Sequence, residues 1–194
     1  MPRVSGTKKA ILDAALQIAA SKGITGTTMD EVAELAGVAK GSLYYNFTNK
    51  DQLFEELLEE GVGALAEVLR EARSGLHGWE AIEVLVDTLL HRISENSALA
   101  KLMAAEIFRT DRAWQETLFA LRHDALGEFA SAIAEALPDS EARSTSDLMA
   151  SSVFGAVLMG GLEWLVFEPK RSRDDVAAII LRSLSGSLRP GCVA

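Results

Sequence analysis

The sequence predicts an all-α fold of about nine helices. Apolar residues recur at helical spacing along the chain, as in the stripe of Ile11, Ala14, Ala15 and Ile18. No stretch alternates polar and apolar residues between the Asn-Gly or Asp-Gly turns that are typical of paired strands. With 194 residues, of which 48% are hydrophobic, the chain can bury a substantial core in one domain or two.

Capping signals mark the ends of the first helices. Gly23 is expected to end the first helix in a left-handed conformation. Thr28 and Glu31 have the spacing of a capping box, in which the hydroxyl accepts from the Glu31 N–H and the carboxylate reaches back. Asn49 and Gln52 repeat this spacing at the start of a long helix.

The remaining helices follow from apolar stripes and stop signals. Thr110 can cap a helix that Pro138 would end, and a later helix stops before Pro169. Ser172 opens the last helix. The expected helices after the capping box cover residues 29–36, 40–45, 50–73, 78–96, 98–108, 110–137, 144–167 and a C-terminal segment from 173.

Residues 27–50 have the spacing of a helix-turn-helix. Two helices this short are unstable alone, so they must pack on each other and on a third. Ala33 permits close contact, and Gly37 supplies the left-handed residue of a sharp turn. Val38 and Leu43 then hold the second helix across the first, which makes residues 40–45 the recognition helix.

The expected outer face of the recognition helix suits DNA. Lys40, Ser42, Tyr45 and Asn46 offer a cation, a hydroxyl, a phenol and an amide for phosphates and base edges. Gly41 lets the backbone approach a partner closely. Lys50 lies at a helix start, where its charge opposes the helix dipole, so we expect a DNA phosphate to compensate it.

The segment resembles the DNA-binding domain of the TetR (tetracycline-repressor-like) transcriptional regulators over about residues 8–55. The resemblance is carried by Ile11, Ala14, Ala15, Gly23, Thr27, Thr28, Val32, Ala33, Ala36, Gly37, Val38, Gly41, Ser42, Leu43, Tyr44, Tyr45, Phe47, Lys50 and Leu53. It implies DNA contacts at Thr28, Lys40, Gly41, Ser42, Tyr44, Tyr45 and Lys50. Two positions depart from the family pattern: Ala39 replaces a frequent serine, and Asn46 replaces a frequent histidine.

Charge is divided unevenly between the two expected domains, a DNA-binding domain over residues 1–53 and a ligand-binding and dimerisation domain over 54–194. The first has six basic and five acidic residues, a net charge of +1, and the second has 13 and 23, a net charge of −10. The overall charge of −9 therefore does not argue against DNA binding. Arg3, Lys8 and Lys9 could add phosphate contacts from an N-terminal arm.

The helix over 144–167 is apolar on most faces, which favours burial on most faces. That burial could be provided within one chain or by a second copy. We expect a homodimer, because one short recognition helix offers few contacts and because the resembling family dimerises through its last helices. The candidate interface residues are Ser152, Gly155, Ala156, Gly160, Val176, Ile179, Ile180 and Leu184.

The resemblance also implies a small-molecule effector, bound by the C-terminal domain. Apolar side chains that could line its cavity suggest an apolar or aromatic ligand, although each fits an ordinary core position as well. The candidates are Met103, Phe108, Trp114, Phe119, His123, Phe154, Met159 and Trp164.

Several function classes are disfavoured. Catalytic and phosphate-loop motifs are not recognised, the three histidines lack metal-ligand spacing, and the single cysteine, Cys192, allows no internal disulfide, so we expect no enzyme, metal or cofactor. The uncharged run 148–162 is shorter than the ~18 residues that span a bilayer, and no signal peptide is recognised. We expect a cytoplasmic transcriptional regulator, most simply a ligand-released repressor. The alternatives are an activator and a helical carrier or interaction protein without sequence-specific DNA binding.

Overall fold

The computed structural model describes residues 6–109, 111–137 and 139–188, with side chains described outside 139–145 and 186–188. Arg3, Thr110, Pro138 and Cys192 lie outside the described residues. The described residues are helical or irregular, which confirms the all-α prediction. The helices are α1 (Gly6–Gly26), α2 (Met29–Leu35), α3 (Lys40–Asn46), α4 (Lys50–Val62), α5 (Leu65–Ala72), α6 (Gly78–Glu95), α7 (Ser97–Glu106), α8 (Gln115–Ala136), α9 (Asp139–Phe167) and α10 (Arg173–Leu188).

Several helix boundaries differ from the sequence prediction. Two helices begin at other residues than expected: α8 begins at Gln115 rather than near residue 110, and α9 begins at Asp139 rather than near residue 144. Gly23 has a positive φ of 76° as expected, but α1 bends there and continues to Gly26. The helix expected over 50–73 is interrupted by a turn at Gly63 and Ala64, so it forms α4 and α5. Neither position contains proline, so the breaks come from backbone conformation and packing rather than from a missing donor.

The chain folds into two compact units. The N-terminal unit contains the residues up to Gly63 together with Lys101–Phe119, and the C-terminal unit contains Ala64–Ala100 and the residues from Ala120 onwards. The sequence division at residue 53 is a functional one and stays a prediction.

In the N-terminal unit, α1 packs on α2 and α4, and α2 packs on α3. Its fully buried apolar side chains include Ile11, Leu43, Phe47, Leu53 and Phe54. Trp114, from the sequence-distant part of this unit, lies with its ring centroid 6.0 Å from that of Phe54. This segment therefore completes the core on which α2 and α3 are mounted.

In the C-terminal unit, α6 packs on α5, α9 and α10, and α9 also packs on α10. Two adjacent glycines allow these close approaches. A Cβ on Gly160 would lie 3.0 Å from Ile180 Cδ1 of α10, and one on Gly161 would lie 3.2 Å from side-chain atoms of Leu90 and Ile93 of α6. Larger residues at these positions would separate the helices.

The apolar part of α9 is longer than the uncharged run suggested. Residues Ser146–Phe167 form a helix of 22 residues that is long and apolar enough to cross a membrane by length and composition, which corrects the expectation based on residues 148–162. The same property is found in core helices, and 28% of the residues in its 18-residue apolar window are buried within the chain. Most residues of this apolar helix are therefore not buried within the chain, and a dimer would cover part of their exposed surface.

Candidate nucleic-acid interface

The turn between α2 and α3 has the geometry predicted for a helix-turn-helix. Gly37 adopts a positive φ of 67°, and the Val38 N–H donates to the Ala33 carbonyl at 3.0 Å. Ala33 is 3% exposed and Leu43 is fully buried, so both helices are fixed by their inner faces. Since α2 and α3 are seven residues each, this packing is what keeps them helical.

The N-terminus of α2 is closed by the predicted capping box. The Glu31 N–H donates to the Thr28 hydroxyl at 3.3 Å, and the Glu31 carboxylate accepts from the Thr28 N–H at 3.0 Å. Hydrogen bonds from Lys22 and Thr28 lower the pKa of Glu31 to about 2. The Thr28 side chain is exposed but already engaged, so its first role is to hold α2 in place.

The outer face of α3 carries two aromatic residues. Tyr45 is 91% exposed and Tyr44 is 49% exposed. Gly41 is also exposed, and a Cβ built on it meets no atom within 4 Å. Exposed aromatic rings on a short polar helix are costly in water without a partner, so this face is a candidate contact surface.

The other polar residues of α3 are partly oriented by local bonds. The Asn46 amide donates to the Ser42 carbonyl at 2.8 Å, which leaves its oxygen as an acceptor. Ser42 and Asn46 are half-buried beside the exposed tyrosines. Ala39 provides no side-chain cap for α3, as its methyl side chain requires.

Lys40, at the start of α3, is paired with the preceding helix. Its ammonium lies 2.7 Å from the Asp30 carboxylate of α2, and both side chains are more than 60% exposed. The hydrogen bond and charge of Asp30 raise the pKa of Lys40. Lys40 is therefore cationic at neutral pH and lies beside the tyrosine face.

The charge of Lys50 is compensated inside the chain, which corrects the expectation that a DNA phosphate would compensate it. Its ammonium donates to the carbonyls of Ile24 at 3.1 Å, Thr27 at 3.2 Å and Thr25 at 3.4 Å. Ile24 and Thr25 lie in the last turn of α1 and Thr27 directly follows it, so these carbonyls cluster where a cation is favourable. The charge is thus compensated inside the chain, and an external phosphate is not needed for that purpose. A DNA contact by Lys50 stays a prediction.

Sequence reasoning missed a second group that holds the end of α1. Arg112 makes a two-point ion pair with Glu106 at 2.9 and 3.1 Å and donates to the Thr25 hydroxyl at 2.9 Å. Its guanidinium lies 5.4 Å from the ring centroid of Trp114. The sequence signal for these contacts would have been the burial of an arginine and a glutamate in one short segment. Burial cannot be read from a single sequence.

The eight candidate ligand residues are distributed over both units. Met103, Phe108, Trp114 and Phe119 belong to the N-terminal unit, and the other four belong to the C-terminal unit. Within the first group, Phe108 is 83% exposed whereas Trp114 is 1% exposed and packs in the core. Placement in the second group also varies, because His123 and Met159 are exposed whereas Phe154 and Trp164 are half-buried.

The candidate dimer residues also differ in placement. Val176 and Ile180 are buried within the chain, and Gly160 faces Ile180, so these three already contribute to packing between α9 and α10. Ile179 is 44% exposed and Ser152 is exposed. Gly155, Ala156 and Leu184 are half-buried. Within the described residues, no group of three or more His, Cys, Asp or Glu side chains could hold a metal.

The capped α2, the turn at Gly37 and the exposed face of α3 define the class of this module: a helix-turn-helix. Residues 11–57 match the family described as bacterial regulatory proteins, tetR family. Together with the relatives described next, this match shows that the N-terminal segment of the chain is a TetR-family helix-turn-helix domain.

Two curated relatives support the assignment. An uncharacterised HTH-type transcriptional regulator of Haemophilus influenzae is 32% identical over 111 residues, covering 56% of this chain and 54% of that protein. The HTH-type transcriptional repressor KstR2 of Rhodococcus jostii is 31% identical over 104 residues, covering 53% and 51%. The chain thus spans about half the length of the curated relatives it matches.

The fold also matches solved structures over nearly the whole chain. The transcriptional regulator FadR of Bacillus subtilis, solved in complex with stearoyl-CoA, matches with a TM-score of 0.75 and 18% identity, covering 96% of this chain and 99% of that one. At this identity the match concerns the fold.

Proposed function

We propose that this chain is a homodimeric transcriptional repressor that binds operator DNA through α3 and is released by a small apolar ligand. The observation that carries the DNA-binding part is the outer face of α3, where Tyr45 is 91% exposed while Leu43 on the opposite face is fully buried. The helix is therefore held by Leu43, and Tyr45 points away from the N-terminal unit into solvent. Repression is favoured by the relative named as a repressor, KstR2.

The predicted DNA contacts fall into two classes. Tyr45 has an exposed ring, Asn46 has an amide oxygen available as an acceptor, and Lys40 has an exposed ammonium paired with Asp30. These three residues of α3 are the candidates for phosphate and base contacts. Thr28 caps α2, and Lys50 binds carbonyls at the end of α1. These two residues would therefore affect DNA affinity by fixing the positions of the helices. The remaining predicted DNA contacts on α3 are Gly41, Ser42 and Tyr44.

The homodimer is supported by an apolar stripe on α9. Leu148 is 76% exposed, Met159 62% and Val166 45%, and they lie at helical spacing with Ser152 and Gly155 on one face. Covering this stripe with a second copy would remove it from water and supply a second α3. Two recognition helices separated by about 34 Å would then read successive turns of DNA.

A single substitution tests the dimer. Met159→Arg places a charge in the centre of the stripe, and we expect it to convert the dimer into a monomer that keeps its helical content. Ser131→Arg, on an exposed position of α8, is the matched control and should remain dimeric. Sedimentation equilibrium measures both. A dimeric Met159→Arg protein would place the interface elsewhere.

Effector release requires that the ligand bind the DNA-free conformation more tightly. A coupling of about 1–3 kcal/mol changes operator affinity roughly 5- to 150-fold. We propose that a ligand in the C-terminal unit displaces α4, because the chain passes from the N-terminal unit to the C-terminal unit at its end, at Gly63. Stearoyl-CoA, the ligand in the FadR structure, is a suitable first probe.

Selection of genomic fragments by the purified protein tests the function. We expect enrichment of fragments that share a two-fold symmetric sequence, with binding that weakens as salt rises. The enriched fragments would identify the operator and the neighbouring target genes. Retention of fragments without a common sequence, or no retention, would favour a helical carrier or interaction protein instead.

A further inference from the structure

The described lysines around the helix-turn-helix all have acceptors inside the chain. Four of them pair with carboxylates, and Lys50 binds the backbone carbonyls of α1. The carboxylate pairs are Lys8 with Glu56, Lys9 with Asp13, Lys22 with Glu31 and Lys40 with Asp30. Binding a DNA phosphate at any of the four carboxylate-paired lysines therefore means exchanging one anion for another.

The Lys40 pair is the one whose cation belongs to the recognition helix. Asp30 lies in the first turn of α2, and Lys40 is the first residue of α3. The ammonium and carboxylate are 2.7 Å apart, with side chains 66% and 62% exposed. Because water reaches both groups, the pair is weak enough for a phosphate to displace the carboxylate.

We propose that Asp30 is a positioning residue that competes with DNA phosphate for Lys40. The inference rests on the proposed DNA-binding function. In free protein Asp30 holds the Lys40 ammonium against α2, and in the complex the ammonium turns to a phosphate. The carboxylate is then left beside the DNA, where it opposes binding and attracts a cation from solution. Asp30 thus lowers the affinity for DNA, and its carboxylate makes no favourable contact with the DNA in return.

Salt dependence makes this effect measurable. Each phosphate neutralised by a lysine contributes about −0.9 to the slope of log affinity against log salt, because one condensed cation is released. When Asp30 takes up a cation as Lys40 leaves it, this contribution is cancelled. Asp30→Asn removes the cancellation, so we expect a slope steeper by up to about 0.9. Affinity at low salt should rise about two- to fivefold, the range set by an exposed ion pair.

The experiment is a double-mutant cycle with Asp30→Asn, Lys40→Met and the combined variant. Fluorescence anisotropy between 50 and 200 mM salt would follow binding to a random-sequence duplex of about 30 base pairs and to a selected genomic fragment. Asp124→Asn, an exposed carboxylate on α8 in the C-terminal unit, controls for net charge. Thermal melting of every variant controls for the loss of an acidic residue from the first turn of α2.

The expected result is a gain in affinity and slope for Asp30→Asn that disappears when Lys40 is already Met. Asp124→Asn should match wild type. An Asp30→Asn protein with unchanged or weaker binding, or with the same gain in the Lys40→Met background, overturns the inference. Absence of sequence-selective binding by wild type would refute the proposed function separately. If wild type shows no sequence selectivity, binding to the random duplex still tests the inference about Asp30. The Asp30→Asn protein must then bind the random duplex more tightly than wild type does.

Discussion

Replacing Lys50 with methionine separates a structural role from a DNA contact. The ammonium donates to three carbonyls at the end of α1, two of them at 3.1 and 3.2 Å. Lys50→Met keeps most of the apolar stem of the side chain and removes these bonds. Because the carbonyls lie at the C-terminal end of a helix, the substitution also removes a favourable charge–dipole interaction.

The magnitude follows from the geometry. A hydrogen bond to a charged group contributes about 1.5–3 kcal/mol, but the bonds share one half-exposed ammonium and do not add independently. We expect a loss of about 2 kcal/mol in the free energy of unfolding. For a chain of this length that corresponds to a melting temperature lower by about 4–8 °C.

Thermal melting followed by circular dichroism, without DNA, measures this loss. Lys40→Met is the matched control, because its ion pair is exposed and should change the melting temperature by at most about 2–4 °C. If Lys50→Met melted within about 1 °C of wild type while its DNA affinity fell and its salt slope became shallower, Lys50 would be a phosphate contact and the capping role would be refuted.

Three further substitutions test the packing, the buried ion pair and the capping box. Gly161→Ala should be less stable than Gly127→Ala by about 1–3 kcal/mol, because its Cβ meets buried side chains at 3.2 Å whereas the control Cβ meets none within 4 Å. Arg112→Met should cost about 3–5 kcal/mol, because it leaves the Glu106 carboxylate, 5% exposed, with only the more distant guanidinium of Arg109 at 3.9 Å. Glu31→Gln should be less stable than wild type at neutral pH, with the difference disappearing between pH 4.5 and about 2, since the pKa of Glu31 is lowered on folding and its contribution is lost as pH falls.

Urea denaturation measures the first two substitutions, and melting across pH measures the third. Equal stability of the two alanine variants would mean that α9 can move away from α6 at little cost. A loss below about 1 kcal/mol for Arg112→Met would mean that water reaches the Glu106 carboxylate. A pH-independent difference for Glu31→Gln would assign its role to shape rather than charge.

Local signals made the helix-turn-helix predictable. The capping box at Thr28 and Glu31, the positive φ of Gly37 and the burial of Ala33 and Leu43 all follow from spacings within ten residues. The Asn49 cap is also present, since its side chain accepts from the Gln52 N–H at 2.8 Å. The expected reciprocal bond goes instead to Thr48, whose N–H donates to Gln52 at 2.8 Å.

Long-range contacts account for what sequence reasoning could not reach. The partners of Lys50 are backbone carbonyls 23 to 26 residues away, and backbone groups carry no residue-specific signal. Arg112 reaches Thr25 across 87 residues, and only the fold brings these segments into one compact unit. Similarly, nothing in the composition of α9 distinguishes Gly161, packed against α6, from Gly155, which faces open space.

Operator binding by Tyr45→Ala decides whether α3 is the recognition helix. The ring is 91% exposed, so its removal should leave the melting temperature unchanged. Anisotropy titrations on a genomic fragment selected by wild type should show a loss of affinity of about 5- to 150-fold, corresponding to about 1–3 kcal/mol for a base-reading contact, with a smaller change on a random duplex. Equal affinity of wild type and Tyr45→Ala for the selected fragment would contradict recognition of the operator by this face of α3.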